Sequence, residues 1–194
     1  RSELVKETVE ATTESKITRA LRNATNAREA LELLRNDILN SEASRLANYQ
    51  LQLIDVLLNV PNLDNVKVDI LTPLAMTNLA KKENISGVYT SNLNVNKQST
   101  TISIVENLEN SDTIKTFLHE AVHAATILKL GNLNLEEATV WRDILVKARE
   151  AAAQRGITKY EKQYYGLKDI KEFVAEGFTN EEFSNFLNTI DSIN

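Results

Sequence analysis

The chain carries two histidines, and they stand four residues apart with a glutamate after the first: His119-Glu120-Ala121-Val122-His123. A spacing of four brings side chains onto one face of a helix, so two imidazoles can ligate a single metal ion. Glu120, on the next position, can reach a water held by that metal and take its proton, which is the arrangement of a zinc peptidase. The same five residues also occur as two surface histidines on an amphipathic helix, so the rest of the chain has to decide. There is no cysteine. A disulfide framework and thiolate zinc sites are thereby excluded, and any metal must be held by histidine and carboxylate.

Catalytic zinc takes three protein ligands and keeps a further position for water. One peptidase class extends the motif with a glycine and a third histidine, which here would fall at positions 126 and 129. Thr126 and Lys129 stand there, so that class is excluded. With no other histidine, the third ligand must be an aspartate or a glutamate. The best-placed pair lies in Glu172-Phe173-Val174-Ala175-Glu176, one helical turn apart beside Ile170, Phe173, Val174 and Gly177. On an isolated helix two such carboxylates read as a solvated rim. Beside a histidine pair they read as the source of one ligand on a second helix packed across the first, giving a His2Glu site.

His119-Glu120-x-x-His123, followed by Tyr165-Gly166 and then by Glu172-Phe173-Val174-Ala175-Glu176-Gly177-Phe178, resembles the catalytic domain of anthrax lethal factor and related zincin peptidases. It is especially similar to the zincin domains of large phage and prophage proteins. The resemblance covers about Ile85 to Phe186 and is specific in the combination of motifs. It implies a zinc-dependent endopeptidase with Zn2+ on His119, His123 and Glu172, Glu120 as the catalytic base, and Tyr165 as the phenol that points at the bound substrate. It further implies that Glu176 supports the site from behind by accepting the outer N–H of a ligand histidine, although exchanged roles for Glu172 and Glu176 stay open. At Gly177 the lethal-factor pattern has alanine, which bears on the stiffness of the helix. The helices before Pro61 have no counterpart.

Two helices and a sheet must position these groups. In 194 residues, 42% hydrophobic and 25% charged with 5 Gly and 2 Pro, a helix-rich α+β chain with a small mixed sheet is expected. Residues 1–60 read as an N-terminal helical arm or packing helices and 61–194 as the zincin-like peptidase domain. In the arm, Ala20, Ala24, Ala27, Leu31, Leu34 and Ile38 form a narrow apolar seam on what reads as continuous helix. Ser41 is the expected N-cap of a further helix with Ala43, Leu46, Ala47, Leu53, Ile54, Leu57 and Leu58 inward, ending at Pro61.

Strands are expected at 66–71, 87–90 and 101–105, separated by loops, with Thr101-Ile102-Ser103-Ile104 alternating as a strand with one buried face. An edge strand near the metal helix is where an extended peptide can add itself. The metal helix should start at Ser111 or Asp112 and bury Ile114, Phe117, Leu118, Ala121, Ala125 and Leu128. After Gly131, a helix over 135–153 with Ala138, Trp141, Leu145, Ala148 and Ala152 inward precedes a loop holding Gly156, Tyr160, Tyr164 and Tyr165. Helices over 168–179 and 181–190 close the chain, the second with Phe183, Phe186, Leu187 and Ile190 apolar.

A net charge of −5 and a pI near 5.2 argue against nucleic acid as a partner. No apolar run reaches the roughly 20 residues of a membrane span. The expected partner is a protein or peptide substrate, with specificity in the stretches 92–99 and 156–165. Because the chain begins at Arg1, it is expected to be tethered to the rest of a larger polypeptide, in a phage virion or a host cytoplasm. The competing readings are a non-catalytic zinc-binding structural or interaction domain of a virion protein, and a secreted toxin-type peptidase.

Overall fold

The computed structural model describes residues 14–40, 45–94, 97–157 and 161–190, without the side chains of 45–47 and 92–99. In chain order it contains α1 (Lys16–Asn23), α2 (Ala27–Asn40), α3 (Arg45–Leu58), β1 (Val66–Leu71), α4 (Pro73–Ala80), β2 (Gly87–Asn94), β3 (Lys97–Val105), α5 (Asn110–Gly131), α6 (Leu135–Gln154), α7 (Ile170–Thr179) and α8 (Glu181–Asn188). Short 3-10 turns stand at Pro61–Asn65 and Lys162–Leu167. The architecture is α+β, helix-rich around a three-stranded mixed sheet.

The apolar seam near the N-terminus is buried at Ala24, Ala27, Leu31, Leu34 and Ile38, but it does not lie on one helix. Ala24 is extended at φ −71°, ψ 137°. The Asn26 side chain then accepts the Glu29 N–H at 2.9 Å, and Glu29 accepts from the Thr25 N–H at 2.7 Å and its hydroxyl at 2.5 Å. These local caps satisfy the backbone donors of a new helix start and so break the run in two. Ile17, Leu21 and Ala30 join the buried face. Ser41 and Ala43, and the side chains of Leu46 and Ala47, lie outside the described residues. On α3, Leu53, Ile54 and Leu57 are buried and Leu58 is half-buried. Arg28 reaches across from α2 to the carbonyls of Leu58 and Val60 and to Asp64, which ties the turn after α3 to α2.

In the sheet the order is β1-β3-β2, with β1 parallel to β3 and β2 antiparallel to it, Gly87 facing Ile104. β2 and β3 are longer than the sequence suggested. Most of the stretch 92–99, expected as a loop, is paired backbone. The segment after β1, also expected as a loop, forms α4, because the Thr72 hydroxyl accepts the Ala75 N–H at 3.2 Å and Pro73 occupies a first-turn position that needs no donor. α4 packs against β1 and β3. Ser103 is accordingly only 2% exposed, so β3 is covered on both faces, where its alternation had suggested one.

α5 begins at Asn110, before both expected caps, and no side chain caps it. Its middle is buried nearly all round, at Phe117, Leu118, Glu120, Ala121, Val122 and Ala124, because the sheet, α3 and α7 all pack against it. Leu128, expected inside, is 56% exposed, since the apolar spacing continues into a last turn that is largely exposed. One hydrophobic cluster runs from Ile17 on α1 through α2, α3, the sheet and α5 to Val174 and Ala175 on α7, crossing residue 60 without interruption. A second gathers Leu145, Ala148 and Ala152 of α6 with Leu167, Phe173, Phe183, Phe186 and Ile190. α7 faces both. Among the described residues no helix is long and apolar enough to cross a membrane.

Candidate metal centre

α5 and α7 pack directly on each other and bring the two halves of the site together. α5 presents His119 and His123 on one face, as a spacing of four requires. The start of α7 is fixed by Asp169, whose side chain accepts the Glu172 N–H at 3.0 Å. Glu172 is therefore in the first turn of its helix, with its carboxylate turned to the histidines. The Nε2 atoms of His119 and His123 are 3.1 Å apart, and Glu172 Oε2 lies 3.2 Å from the first and 3.3 Å from the second.

Three atoms from three side chains thus converge on one point. Tetrahedral zinc, with ligands at about 2.0–2.1 Å, separates its ligand atoms by about 3.3 to 3.4 Å, so this triangle has the size that one ion needs. Glu172 Oε2 is buried and makes no hydrogen bond of adequate direction, despite its closeness to both rings. An acceptor aimed at two ring nitrogens that do not point their protons at it fits a cation better than it fits a hydrogen-bond network. Without a metal, burial would lower the pKa of His119, but the carboxylates of Glu172 and Glu176 beside its two ring nitrogens overcome this and raise it to about 10. Burial acts on Glu172 in the opposite sense, and the two imidazoles overcome that as well, holding its carboxyl at about 2.

Glu176 lies on the other side of the ring, with Oε1 3.1 Å from His119 Nδ1. It is 8% exposed, and its second oxygen accepts from Asn180 Nδ2 at 2.6 Å. Asn180 also donates to the Gln163 carbonyl at 3.0 Å and caps α8 by accepting the Phe183 N–H at 3.2 Å. Thr179 Oγ1 is 3.4 Å from the same His119 Nδ1. With Nδ1–H turned to Glu176, Nε2 keeps its lone pair available to a metal ion.

Glu120 is buried at 7% exposure, against the sheet. Burial raises its pKa above the usual carboxylate value, while the two histidines and a hydrogen bond from the Tyr89 backbone act the other way. β2 comes this close because residue 87 is glycine. A Cβ there would stand 2.5 Å from Thr116 Cγ2 and 3.3 Å from Glu120 Cγ.

Tyr165 is 37% exposed, in the turn before α7. Its phenol oxygen accepts from Lys168 Nζ at 2.7 Å, and that ammonium is 4.0 Å from Glu172 Oε1. The turn can lie flat because Gly166 packs on Phe183, where a Cβ would meet the ring at 2.4 Å. Tyr160 lies outside the described residues. An open cavity of about 540 Å³ between α3, α5 and α8 reaches Thr179, on the Nδ1 side of His119 and so away from the triangle of His119, His123 and Glu172.

The structure therefore brings His119, His123 and Glu172 together, puts Glu176 behind His119 and Glu120 between α5 and β2, and links Tyr165 to Glu172 through Lys168. Sequence reasoning missed Lys168, Thr179, Asn180 and the Tyr89 backbone. The spacing of four between Lys168 and Glu172, and of four between Glu176 and Asn180, was the available signal. Nothing in the sequence pointed to Tyr89, whose contribution is a peptide group. No protein-family model matches the chain, and no curated protein or solved structure matches it.

Proposed function

We propose that the chain is a zincin-type zinc metalloendopeptidase domain that hydrolyses peptide bonds in a protein or peptide substrate. The observation that carries this reading is the triangle of His119 Nε2, His123 Nε2 and Glu172 Oε2 at 3.1 to 3.3 Å, closed by a buried oxygen without a directed donor. When bound there, zinc supplies a Lewis acid and lowers the pKa of a bound water toward about 7.

The chain's own residues supply the rest. Glu120 takes the proton from the attacking water at its carboxylate and delivers it to the nitrogen of the leaving amine. Its burial beside β2 favours a carboxylate that accepts protons readily. Tyr165 Oη donates to the carbonyl oxygen of the scissile bond as negative charge builds there. Glu176, fixed by Asn180, holds His119 in one tautomer.

The outer edge of β2 suits an extended peptide. Val105 donates to the Ser86 carbonyl across the ladder, and opposed pairs alternate in an antiparallel sheet, so Gly87, Tyr89 and Ser91 turn their backbone groups away from β3, the Tyr89 N–H toward Glu120. Peptide addition at such an edge gives backbone affinity beside the site. The resemblance to lethal factor and to phage-protein zincin domains supports the same chemistry, and a phage or prophage setting within a larger polypeptide rests on it alone.

Zinc content by mass spectrometry, together with cleavage of denatured casein, tests the reading. Glu120→Gln is expected to keep its zinc and lose turnover by about 10²- to 10⁴-fold, the range for a general base. Glu172→Ala should lose both. Cleavage undiminished in Glu120→Gln overturns the mechanism, and a wild-type chain that holds zinc tightly yet cleaves nothing is a structural metal domain instead.

A further inference from the structure

Lys168 has no part in the proposed hydrolysis, yet its ammonium lies at the centre of a small constellation. Nζ is 2.7 Å from Tyr165 Oη, 4.0 Å from Glu172 Oε1 and 4.9 Å from the centroid of the Tyr165 ring. We propose that Lys168 is a positioning residue that turns the Tyr165 phenol into a hydrogen-bond donor toward the substrate and presents Glu172 to the metal through one oxygen.

The first half follows from the donor inventory. An ammonium has only donors, so in this contact the phenol oxygen must accept. Tyr165 owns a single proton, which therefore points away from Lys168 and is left for another acceptor. No other side-chain partner holds the Tyr165 hydroxyl among the described residues. Without Lys168 the ring would be free to rotate its proton elsewhere, and an exposed tyrosine would spend much of its time in unproductive directions. The second half follows from the two oxygens of Glu172. Oε2 closes the triangle with the histidines, while Oε1 faces the ammonium. A carboxylate engaged in this way on one oxygen offers the other as a single ligand atom.

Lys168 is also anchored for the task. Its N–H donates to the Tyr165 carbonyl at 3.0 Å, and its own carbonyl accepts from Arg149 Nη2 at 2.6 Å. Arg149 Nε holds the preceding carbonyl, of Leu167, at 2.8 Å, so α6 fixes the backbone from which the lysine starts. Only the side chain itself then has to be ordered, which lowers the entropic cost of the contact.

The effect on turnover rests on the metallopeptidase reading, whereas the effect on Tyr165 does not. The test uses Lys168→Met, which keeps an unbranched apolar stem at an exposed position, Lys168→Arg, which keeps the charge, Tyr165→Phe, and the Lys168→Met/Tyr165→Phe pair. Each is labelled with 3-fluorotyrosine, the Tyr165 signal among the five tyrosines being assigned by its loss in Tyr165→Phe. In Lys168→Met the Tyr165 fluorine resonance should shift and broaden, with or without zinc, and in Lys168→Arg it should stay near its wild-type position. Turnover of casein should fall about tenfold with KM unchanged, the lower end of what an outer-shell partner contributes. The double variant should be no slower than Tyr165→Phe alone. Zinc affinity should change by less than about fivefold, because an exposed ion pair contributes little. An unmoved Tyr165 resonance, losses that multiply in the double variant, or a zinc affinity that falls in step with turnover would each overturn the proposal. A wild-type chain that binds no zinc overturns the metallopeptidase reading instead, and the fluorine resonance still decides the contact.

Discussion

Without a metal, His119 and Glu172 face each other as an ion pair at 3.2 Å. The pKa of His119, raised to about 10 from an ordinary 6.5, means that its contribution to stability is complete below about pH 6.5 and is lost as pH rises through 10. Glu172, depressed to about 2 from 4.5, contributes above about pH 4.5 and loses this as pH falls through 2. The metal-free protein should therefore hold the benefit of the pair in full between about pH 4.5 and 6.5 and lose it progressively on the alkaline side. Zinc ligation requires neutral imidazole, so a zinc ion bound there would replace the pair and tighten as protons leave. Thermal melts from pH 6 to pH 10, in chelator and in excess zinc, should diverge, with Tm falling in chelator and holding in zinc. Two curves that stay parallel would mean that the metal does not engage His119.

Glycines make the elements of the site separable by mutation. Gly177 lies inside α7, where a Cβ would find only Leu187 Cδ1 at 3.8 Å, an ordinary contact. Alanine there should stabilise the protein by about 0.5–1 kcal/mol, the usual helix-interior difference, and leave the site as it is. Gly177 thus bears on helix stability and leaves the placement of Glu172 and Glu176 alone. Gly166 and Gly87 behave in the opposite way. A Cβ at 166 stands 2.4 Å from the Phe183 ring, and one at 87 stands 2.5 Å from Thr116. Alanine at either should cost about 1–3 kcal/mol through overpacking. Gly166→Ala should displace the turn that carries Tyr165, and Gly87→Ala should lift β2 from Glu120. Chemical denaturation of the three variants provides the check, and a destabilising Gly177→Ala would contradict the packing described for α7.

Across the whole molecule, the N-terminal helices and α5 share one hydrophobic cluster. Leu34 is fully buried in it on α2, distant in sequence from every site residue. Leu34→Ala should cost about 2–5 kcal/mol, the usual range for a buried leucine, and this loss should appear in the same unfolding transition that melts the site. Excess zinc should then restore stability to the variant with the logarithm of ligand concentration over its dissociation constant. Two separate transitions, with only the earlier one moved by the substitution, would show that the N-terminal helices melt on their own.

The sequence alone determined the residue types and most of the elements. His119, Glu120 and His123 were legible because a spacing of four on a helix is a local property, and β1 was placed at its observed ends by the β-branched Val66, Val68 and Ile70 within it. Local rules also explain the near misses, since the Asn26 cap that splits the first seam and the Thr72-Pro73 start of α4 are short-range signals outweighed by a longer pattern. Tertiary structure decided what depends on two elements meeting. Whether Glu172 is a wet rim or a partner of two imidazoles turns on the packing of α7 across α5, which no spacing within α7 encodes. The same packing puts Glu176 on Nδ1 and Glu172 on the Nε2 side, separating two carboxylates that the sequence left interchangeable. Lys168 takes its meaning from Tyr165 and Glu172 together, and the contact of Glu120 with the Tyr89 backbone exists because Gly87 lets a strand approach a helix. Ligand chemistry is written in side-chain types, while its geometry comes from the distances between chain segments far apart in sequence.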